Sequence, residues 1–447
     1  MRMIKLYDTY EGKIREFKPI DSKEVDIYYC GPTVYNYVHL GNFRPTVTFD
    51  LLSRFLKEEG YEVKCVSNYT DIDDKIIKES QKEGKTEKEL SEFYIKAYEN
   101  CLDKLNILPL YAHPKASQYI DYMASFIKKM MDIGAAYQSK DDIFFSIDTD
   151  KTYGNLSKQN IEDLVSGSRI DVNSNKKNPL DFALWKLTDD NGIKFDTIIG
   201  RGRPGWHTEC VCMVNDVFKK PLIDIHGGGF DLKFPHHENE IAQSEAVNHT
   251  RLANYWMHVG FLLTDGVKMS KSLGNSILAK DVLERHSGNS VRLFFLSTHY
   301  RAPINYTEEN LNNCDKQIAK YQNSYRKGVY KLELSGNKEP SLLINDYEES
   351  MNALADDLNV SNCMTVVDRL IKSINSESMK KDTDTQKLSN LLYTFHRITS
   401  VLGLVFDVEP LTDEDKENYK QYNQARAEKD YAKSDIYRKK LLEKGIL

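Results

Sequence analysis

Val25-Asp26-Ile27-Tyr28-Tyr29, with Cys30-Gly31-Pro32 directly after it, is the stretch on which the fold turns. Val25, Ile27 and Tyr29 alternate with more polar neighbours, the period of a half-buried strand, and Gly31 and Pro32 end that pattern and open a loop. A helix is expected next. Pro45 suits its first turn, Phe49, Leu52, Phe55 and Leu56 recur at helical spacing, and Gly60 stands where a glycine closes a helix. Residues 61–66 then read as another strand. Strand, helix and strand in that order form a βαβ unit of an α/β, Rossmann-type fold. The sheet should be parallel, with its ligand beyond the carboxyl ends of the strands, near the loop at residues 31–45.

Outward from this unit, residues 110–200 mix a helical period (119–131) with a short strand (143–147) and a polar loop at 173–177. This middle reads as an insertion, because strand and glycine signals resume after Gly205, above all in Leu222-Ile223-Asp224-Ile225-His226-Gly227-Gly228-Gly229. Beyond residue 310 glycine thins out and helical patterns dominate, with 335–341 as a linker and 413–443 as a charged, lysine-rich helical end. The tail is expected to be a separate, mainly helical module.

The composition is that of a globular protein: 447 residues, 40% hydrophobic and 29% charged, enough for about two to four domains. No stretch approaches the roughly 18 unbroken apolar residues of a membrane span, and Asp8 and Glu11 interrupt the N-terminus before any secretory segment forms. A soluble, cytoplasmic protein is expected. Seven cysteines are scattered through the chain, which argues for reduced thiols rather than a disulfide framework. The net charge of -6 gives no overall electrostatic support for a nucleic-acid partner, so any RNA site must be a local patch.

Three constellations carry chemistry. In Pro235-His236-His237-Glu238-Asn239-Glu240, His236 and Glu240 are spaced i, i+4 and can grip one ion from one helix face. With Cys30 and Cys210 they would give two thiolates, one imidazole and one carboxylate, a donor set that suits tetrahedral zinc. Spacing does not choose Cys210 over Cys212, nor His236 over His237. The second is His39-Leu40-Gly41-Asn42 before the first helix: His39 can donate to a phosphate oxygen, Gly41 admits close approach, and the helix N-terminus favours an anion. The third is Lys268-Met269-Ser270-Lys271-Ser272, two lysines on a loop closed by Gly274-Asn275, able to neutralise charge on departing pyrophosphate.

The pairing of His39-Leu40-Gly41-Asn42 with Lys268-Met269-Ser270-Lys271-Ser272 resembles the two signatures of class I aminoacyl-tRNA synthetases. Gly205-Trp206-His207-Thr208-Glu209-Cys210, Asp224-Ile225-His226-Gly227-Gly228-Gly229 and Phe234-Pro235-His236-His237-Glu238-Asn239-Glu240 narrow the resemblance to the cysteinyl group. By that resemblance zinc falls to Cys30, Cys210, His236 and Glu240, and Gly31, Thr70 and Trp206 belong to the amino-acid pocket. Gly229 and Asp231 contact adenosine, His39, Gly41, Asn42 and Lys271 serve ATP and the adenylate, and His39, Asn42, Lys268 and Lys271 act in catalysis. His39, His207, His226, His236 and His237 are expected to converge near the adenylate.

The implied activity is ATP-dependent activation of L-cysteine and its transfer to tRNA(Cys), with ATP bound as its magnesium complex, by a monomer without membrane contact. The implied layout is a catalytic first half at 1–115, a connective insertion at 116–200, a catalytic second half at 201–260, a stem-contact region with the second signature loop at 261–312, and an anticodon-binding module at 313–447. Two positions depart from the pattern. Position 42 is asparagine where a second histidine is common, and the sequence stops at Gly445-Ile446-Leu447 where many members continue into a short basic tail, which leaves anticodon contacts from such a tail in question.

Two rival readings differ in testable ways. A ligase of the same family that joins cysteine to an amino sugar would lack a full anticodon module, whereas about 130 residues of helical pattern follow position 310 here. A zinc-dependent RNA-binding protein without catalysis would have no use for His39 and the loop from Lys268 to Ser272.

Overall fold

The computed structural model describes residues 2–140, 142–158, 175–269, 274–336 and 338–446. They fall into two units: Met3–Arg285 with Tyr300–Tyr306, and His286–His299 with the chain from Thr307 onward.

The first unit is organised by four parallel strands: β1 (Glu24–Tyr29), β2 (Glu62–Ser67), β3 (Ile223–Gly229) and β4 (Ala253–Val259), arranged in the order β4-β3-β1-β2. The α1 helix (Phe43–Glu58) joins β1 to β2 with Pro45 in its first turn, and Gly60 turns the chain at φ +94°. Val47, Phe49, Leu52, Phe55 and Leu56 of α1 are fully buried, and each side chain removed from water contributes roughly 1.5–3 kcal/mol.

Along β1 every residue from Val25 to Tyr29 is buried, which corrects the half-buried alternation expected from the sequence. A central parallel strand is covered on both faces, so the polar-looking positions face protein too. Asp26 is tolerated there because its carboxylate pairs with Lys220.

The chain runs from β1 outward to β2, then crosses back to place β3 on the other side of β1. That reversal creates a switch point between β1 and β3, where ligands of open parallel sheets bind. Cys30 lies there: its N–H donates to Gly227 O at 3.1 Å and extends the β1–β3 ladder by one residue. Gly227 is needed at the other wall of this crevice, since a Cβ on it would stand 2.1 Å from Met257 O and 2.6 Å from the Phe49 ring.

Between the halves of this sheet the chain forms a helix, Ile120–Asp132, and a four-stranded antiparallel sheet from Ala136–Ser139, Asp142–Phe145, Phe182–Leu187 and Gly202–Pro204. Met123, Phe145 and Trp185 from this insertion join Tyr28, Met213 and Trp256 in one continuous core. The polar run at 173–177 begins in residues 159–174, which lie outside the described residues. Among the described residues no helix is long and apolar enough to cross a membrane.

The second unit is helical. Glu308–Ser335, Ile344–Ala355, Val360–Ser378 and Thr385–Val401 pack around Tyr321, Leu354, Cys363, Val367, Ile371 and Phe395, all buried. The paired helices Asp413–Ala427 and Tyr431–Glu443 follow. Thr307, Asn359, Asp384, Thr412 and Asp430 each cap a helix start with a side-chain oxygen, a device that explains why these helices begin where they do.

Candidate active site

Three segments meet at the carboxyl ends of β1 and β3. Cys30 follows β1; Cys210 lies in the first turn of the α2 helix (Glu209–Phe218); His236 and His237 close the segment Lys233–His237, which is kinked at the extended Phe234 (φ -141°, ψ 136°) and leads into the α3 helix (Glu238–Asn248) carrying Glu240. The i, i+4 pair His236 and Glu240 therefore straddles the start of α3, just beyond the kink. Their side chains still converge, with His236 Nε2 at 2.8 Å from Glu240 Oε1.

Three further edges, each involving sulfur, are Cys30 Sγ to Cys210 Sγ at 3.7 Å, Cys210 Sγ to His236 Nε2 at 3.6 Å and Cys30 Sγ to Glu240 Oε1 at 3.8 Å. Bonds of about 2.0–2.3 Å in a tetrahedron imply ligand-to-ligand edges of about 3.3–3.8 Å, which the sulfur edges match, while the shorter His236–Glu240 edge is a hydrogen-bond distance that would lengthen around a small divalent ion. Cys212, two residues further along α2, is fully buried and belongs to no donor cluster among the described residues.

Electrostatics divide the donors, drawing Cys210 and Glu240 towards the anion and Cys30 and His236 towards the protonated form. Burial pushes the Cys210 thiol up, but the Cys30 thiol donating to it and the neighbouring His236 bring it down to about 6. Burial opposes charge on His236 as well, yet Glu240 and Cys210 raise it to about 10. Glu240, despite burial, is held well below the usual carboxylate range by His226 and His236. Cys30 is driven well above the ordinary thiol range by burial, by Cys210 and by Glu240. Cys210 and Glu240 thus lean towards the anion beside a His236 that leans towards the imidazolium, and a bound cation replaces protons on such a set.

A second tier of histidines orients the first. His207 Nδ1 lies 2.9 Å from His236 Nδ1; His226 Nε2 lies 2.6 Å from Glu240 Oε2; His237 Nε2 lies 3.3 Å from Cys30 Sγ, with its Nδ1 2.8 Å from His258 Nε2. Burial brings both His207 and His258 down to about 3, aided at His207 by His236 and at His258 by Lys233 and His226. His258 went unnoticed in the sequence, although a histidine inside the apolar run of β4 was the available signal.

Trp206 lies flat on His236, with centroids 4.0 Å and planes 17° apart, so it borders the cluster and remains 38% exposed. Gly31 follows Cys30 so closely against the loop after β2 that a Cβ would fall 1.7 Å from Asn68 O. Thr70 Oγ1 donates to Glu209 Oε2 at 2.8 Å, and Glu209 Oε1 is buried with no hydrogen-bond partner among the described residues. Glu209 was not singled out by the sequence reading; its carboxyl is driven well above the usual range by burial and by Cys210.

The first signature loop is anchored to residues 277–279. Leu40 N–H donates to Ile277 O at 2.8 Å and Ala279 N–H to Val38 O at 3.1 Å, which fastens the first loop to the segment just after the second. Asn42 uses its side-chain oxygen to accept the His39 N–H at 3.1 Å and so holds the turn that presents His39. Gly41 packs against the His39 ring, where a Cβ would come within 3.1 Å. Arg44, also missed from sequence, is buried and donates to Gly260 O and Phe261 O, tying α1 to the strand that leads to Lys268. Lys268 Nζ pairs with Asp231 Oδ2 at 3.0 Å, and a Cβ on Gly229 would meet Asp231 Oδ1 at 2.7 Å. Lys271, with residues 270–273, lies outside the described residues.

The sequence and the fold are similar to those of known proteins. Residues 16–316 match the family model described as tRNA synthetases class I (C) catalytic domain, and residues 349–407 match a DALR domain. A cysteine--tRNA ligase of Acholeplasma laidlawii is 43% identical over 445 residues, covering 100% of both chains. One of Staphylococcus aureus is 40% identical over 457 residues, covering 100% of this chain and 97% of the relative. Among solved structures, a Mycobacterium tuberculosis methionyl-tRNA synthetase bound by methionyl-adenylate superposes with a TM-score of 0.64 at 14% identity, covering 92% of this chain and 96% of that one. A LeuRS from Agrobacterium radiobacter gives 0.61 at 10% identity, covering 87% and 85%. These two likenesses concern the fold alone. The agreement of a family model over most of the chain with relatives aligned from end to end makes the chain a member of the class I (C) tRNA synthetase family.

Proposed function

We propose that the chain is a cysteine--tRNA ligase in which Cys30, Cys210, His236 and Glu240 hold a zinc ion that selects the substrate thiol. The observation that carries the reading is the convergence of these four donors at the switch point of the sheet, in a chain 43% identical along its whole length to a cysteine--tRNA ligase. The donor chemistry fits zinc, since two sulfurs disfavour hard cations. When bound, the ion supplies a soft Lewis acid, for which a thiolate is a far better partner than the hydroxyl of serine.

The remaining chemistry belongs to the chain and its substrates. Trp206 and Gly31 wall the amino-acid pocket beside the donors, with Thr70 and Glu209 as the polar floor that orients the ammonium group. Gly229 and Asp231 receive adenosine. The cysteine carboxylate attacks the α-phosphorus of magnesium-bound ATP, and pyrophosphate leaves as the acyl–AMP bond forms. His39, Lys268 and Lys271 neutralise the charge that builds on the phosphates, while Asn42 and Gly41 hold His39 in place. The terminal adenosine hydroxyl of tRNA then attacks the acyl carbon and AMP leaves. No covalent enzyme intermediate is required.

The test is charging. With ATP, labelled cysteine and total tRNA, label should become acid-precipitable and ribonuclease-sensitive. Label transferred to an amino sugar instead, or to neither acceptor, overturns the assignment.

A further inference from the structure

Four donors, Cys30, His226, His237 and Glu240, form a second cluster in which every ligand atom lies within 4.8 Å of the others. It shares Cys30 and Glu240 with the first cluster, but it replaces Cys210 and His236 with two histidines that the proposed function does not use. Glu240 is divided between the two: Oε1 faces His236 Nε2 at 2.8 Å, and Oε2 faces His226 Nε2 at 2.6 Å. Cys30 Sγ is likewise 3.7 Å from Cys210 Sγ and 3.3 Å from His237 Nε2.

Proximity alone would make these histidines ordinary supports, but their outer hydrogen bonds say more. His226 donates from Nδ1 to Tyr28 O at 3.1 Å, which leaves Nε2 as the atom turned to the cluster. His237 Nδ1 meets His258 Nε2 at 2.8 Å, and His258 Nδ1 in turn meets Thr9 Oγ1 at 3.0 Å. A ring fixed through Nδ1, with Nε2 directed at a thiol and a carboxylate, is the arrangement metal-binding histidines adopt. Both rings are fully buried, so solvent does not serve their inward nitrogens.

We propose that Cys30, His226, His237 and Glu240 form a second seat for a soft divalent cation, one step deeper than the substrate-selecting set. One thiolate, two imidazoles and one carboxylate suit zinc or cobalt, and four protein donors would close the shell and leave no position for substrate sulfur. The first set takes its meaning from the proposed function; the second rests on geometry of its own. Seen from the deeper seat, Cys210 and His236 are neighbours of the ligands, and loss of such neighbours weakens metal binding by roughly 10–100-fold without abolishing it.

The experiment uses the full chain, freed of metal and titrated with cobalt(II), whose thiolate charge-transfer band reports sulfur ligation. Cys210→Ser/His236→Ala should still take one cobalt per chain, weakened by no more than roughly 100-fold and with about half the band intensity of the intact chain. A Cys30→Ser/Glu240→Gln chain, which breaks both sets, provides the floor. If the first double variant binds no better than this floor while the intact chain binds well, the second seat is overturned and the proposed function stands. If the intact chain binds no cobalt, both fall. Should the double variant fail to fold, Cys210→Ser alone decides by pulsed electron paramagnetic resonance with copper(II): two coupled imidazoles support the second seat, and one overturns it.

Discussion

The ring of Trp206 lies on the ring of His236, centroids 4.0 Å and planes 17° apart, so the proposed wall of the amino-acid pocket and a donor of the proposed metal set are one stacked unit. Trp206 remains 38% exposed, and its removal opens the pocket without hollowing the core. An aromatic contact of this kind is worth about 0.5–1.5 kcal/mol. Trp206→Ala should therefore raise the KM for cysteine by about 2–12-fold, by that energy, with little change in the KM for ATP. Pyrophosphate exchange at varied cysteine and varied ATP measures both; equal shifts would contradict the placement of Trp206 beside cysteine.

Gly31 offers a sharper perturbation. A methyl group there would lie 1.7 Å from Asn68 O, a backbone atom that cannot rotate away, so the chain on one side must move. Gly31→Ala should cost about 1–3 kcal/mol in stability and displace Cys30 with it. Thermal unfolding and metal content are the readouts, and a variant with unchanged stability would show that the loop after β2 yields freely.

His207 acts on the donors through His236, from Nδ1 to Nδ1 at 2.9 Å. Its replacement by alanine should lower zinc affinity by roughly 10–100-fold in a chelator competition while the fold persists. Unaltered affinity would mean that His236 needs no outer partner.

The ion pair of Lys268 with Asp231 is about half exposed at both ends, so it contributes only about 0–1 kcal/mol to folding. Asp231→Asn should leave the unfolding midpoint nearly unchanged and weaken ATP. Lys271→Ala, in the same signature, should slow adenylation far more than it weakens cysteine binding. Equal losses in rate and in cysteine affinity would argue against a role for Lys271 at the phosphates.

The legible parts of this molecule were those written as local pattern. Gly60, Pro45 and the apolar spacing of α1 marked a βαβ unit, and the glycine run after Ile225 marked β3. Misjudged were features set by tertiary context: Asp26 looks like the wet side of a strand and is buried because a second layer covers it. The choice between Cys210 and Cys212 was equally invisible in spacing, since two residues along one turn of α2 point to opposite sides of the helix and only Cys210 Sγ reaches Cys30. His258 and Arg44 carry no motif at all. Each became meaningful only when β4 and α1 were brought beside the site.

Exchange of labelled pyrophosphate into ATP, run with cysteine and with serine before and after metal removal, decides whether a bound ion selects the thiol. Exchange should be rapid with cysteine and almost absent with serine, and the cysteine signal should vanish on chelation and return with zinc. Undiminished cysteine-dependent exchange by a demonstrably metal-free chain would contradict selection by the ion.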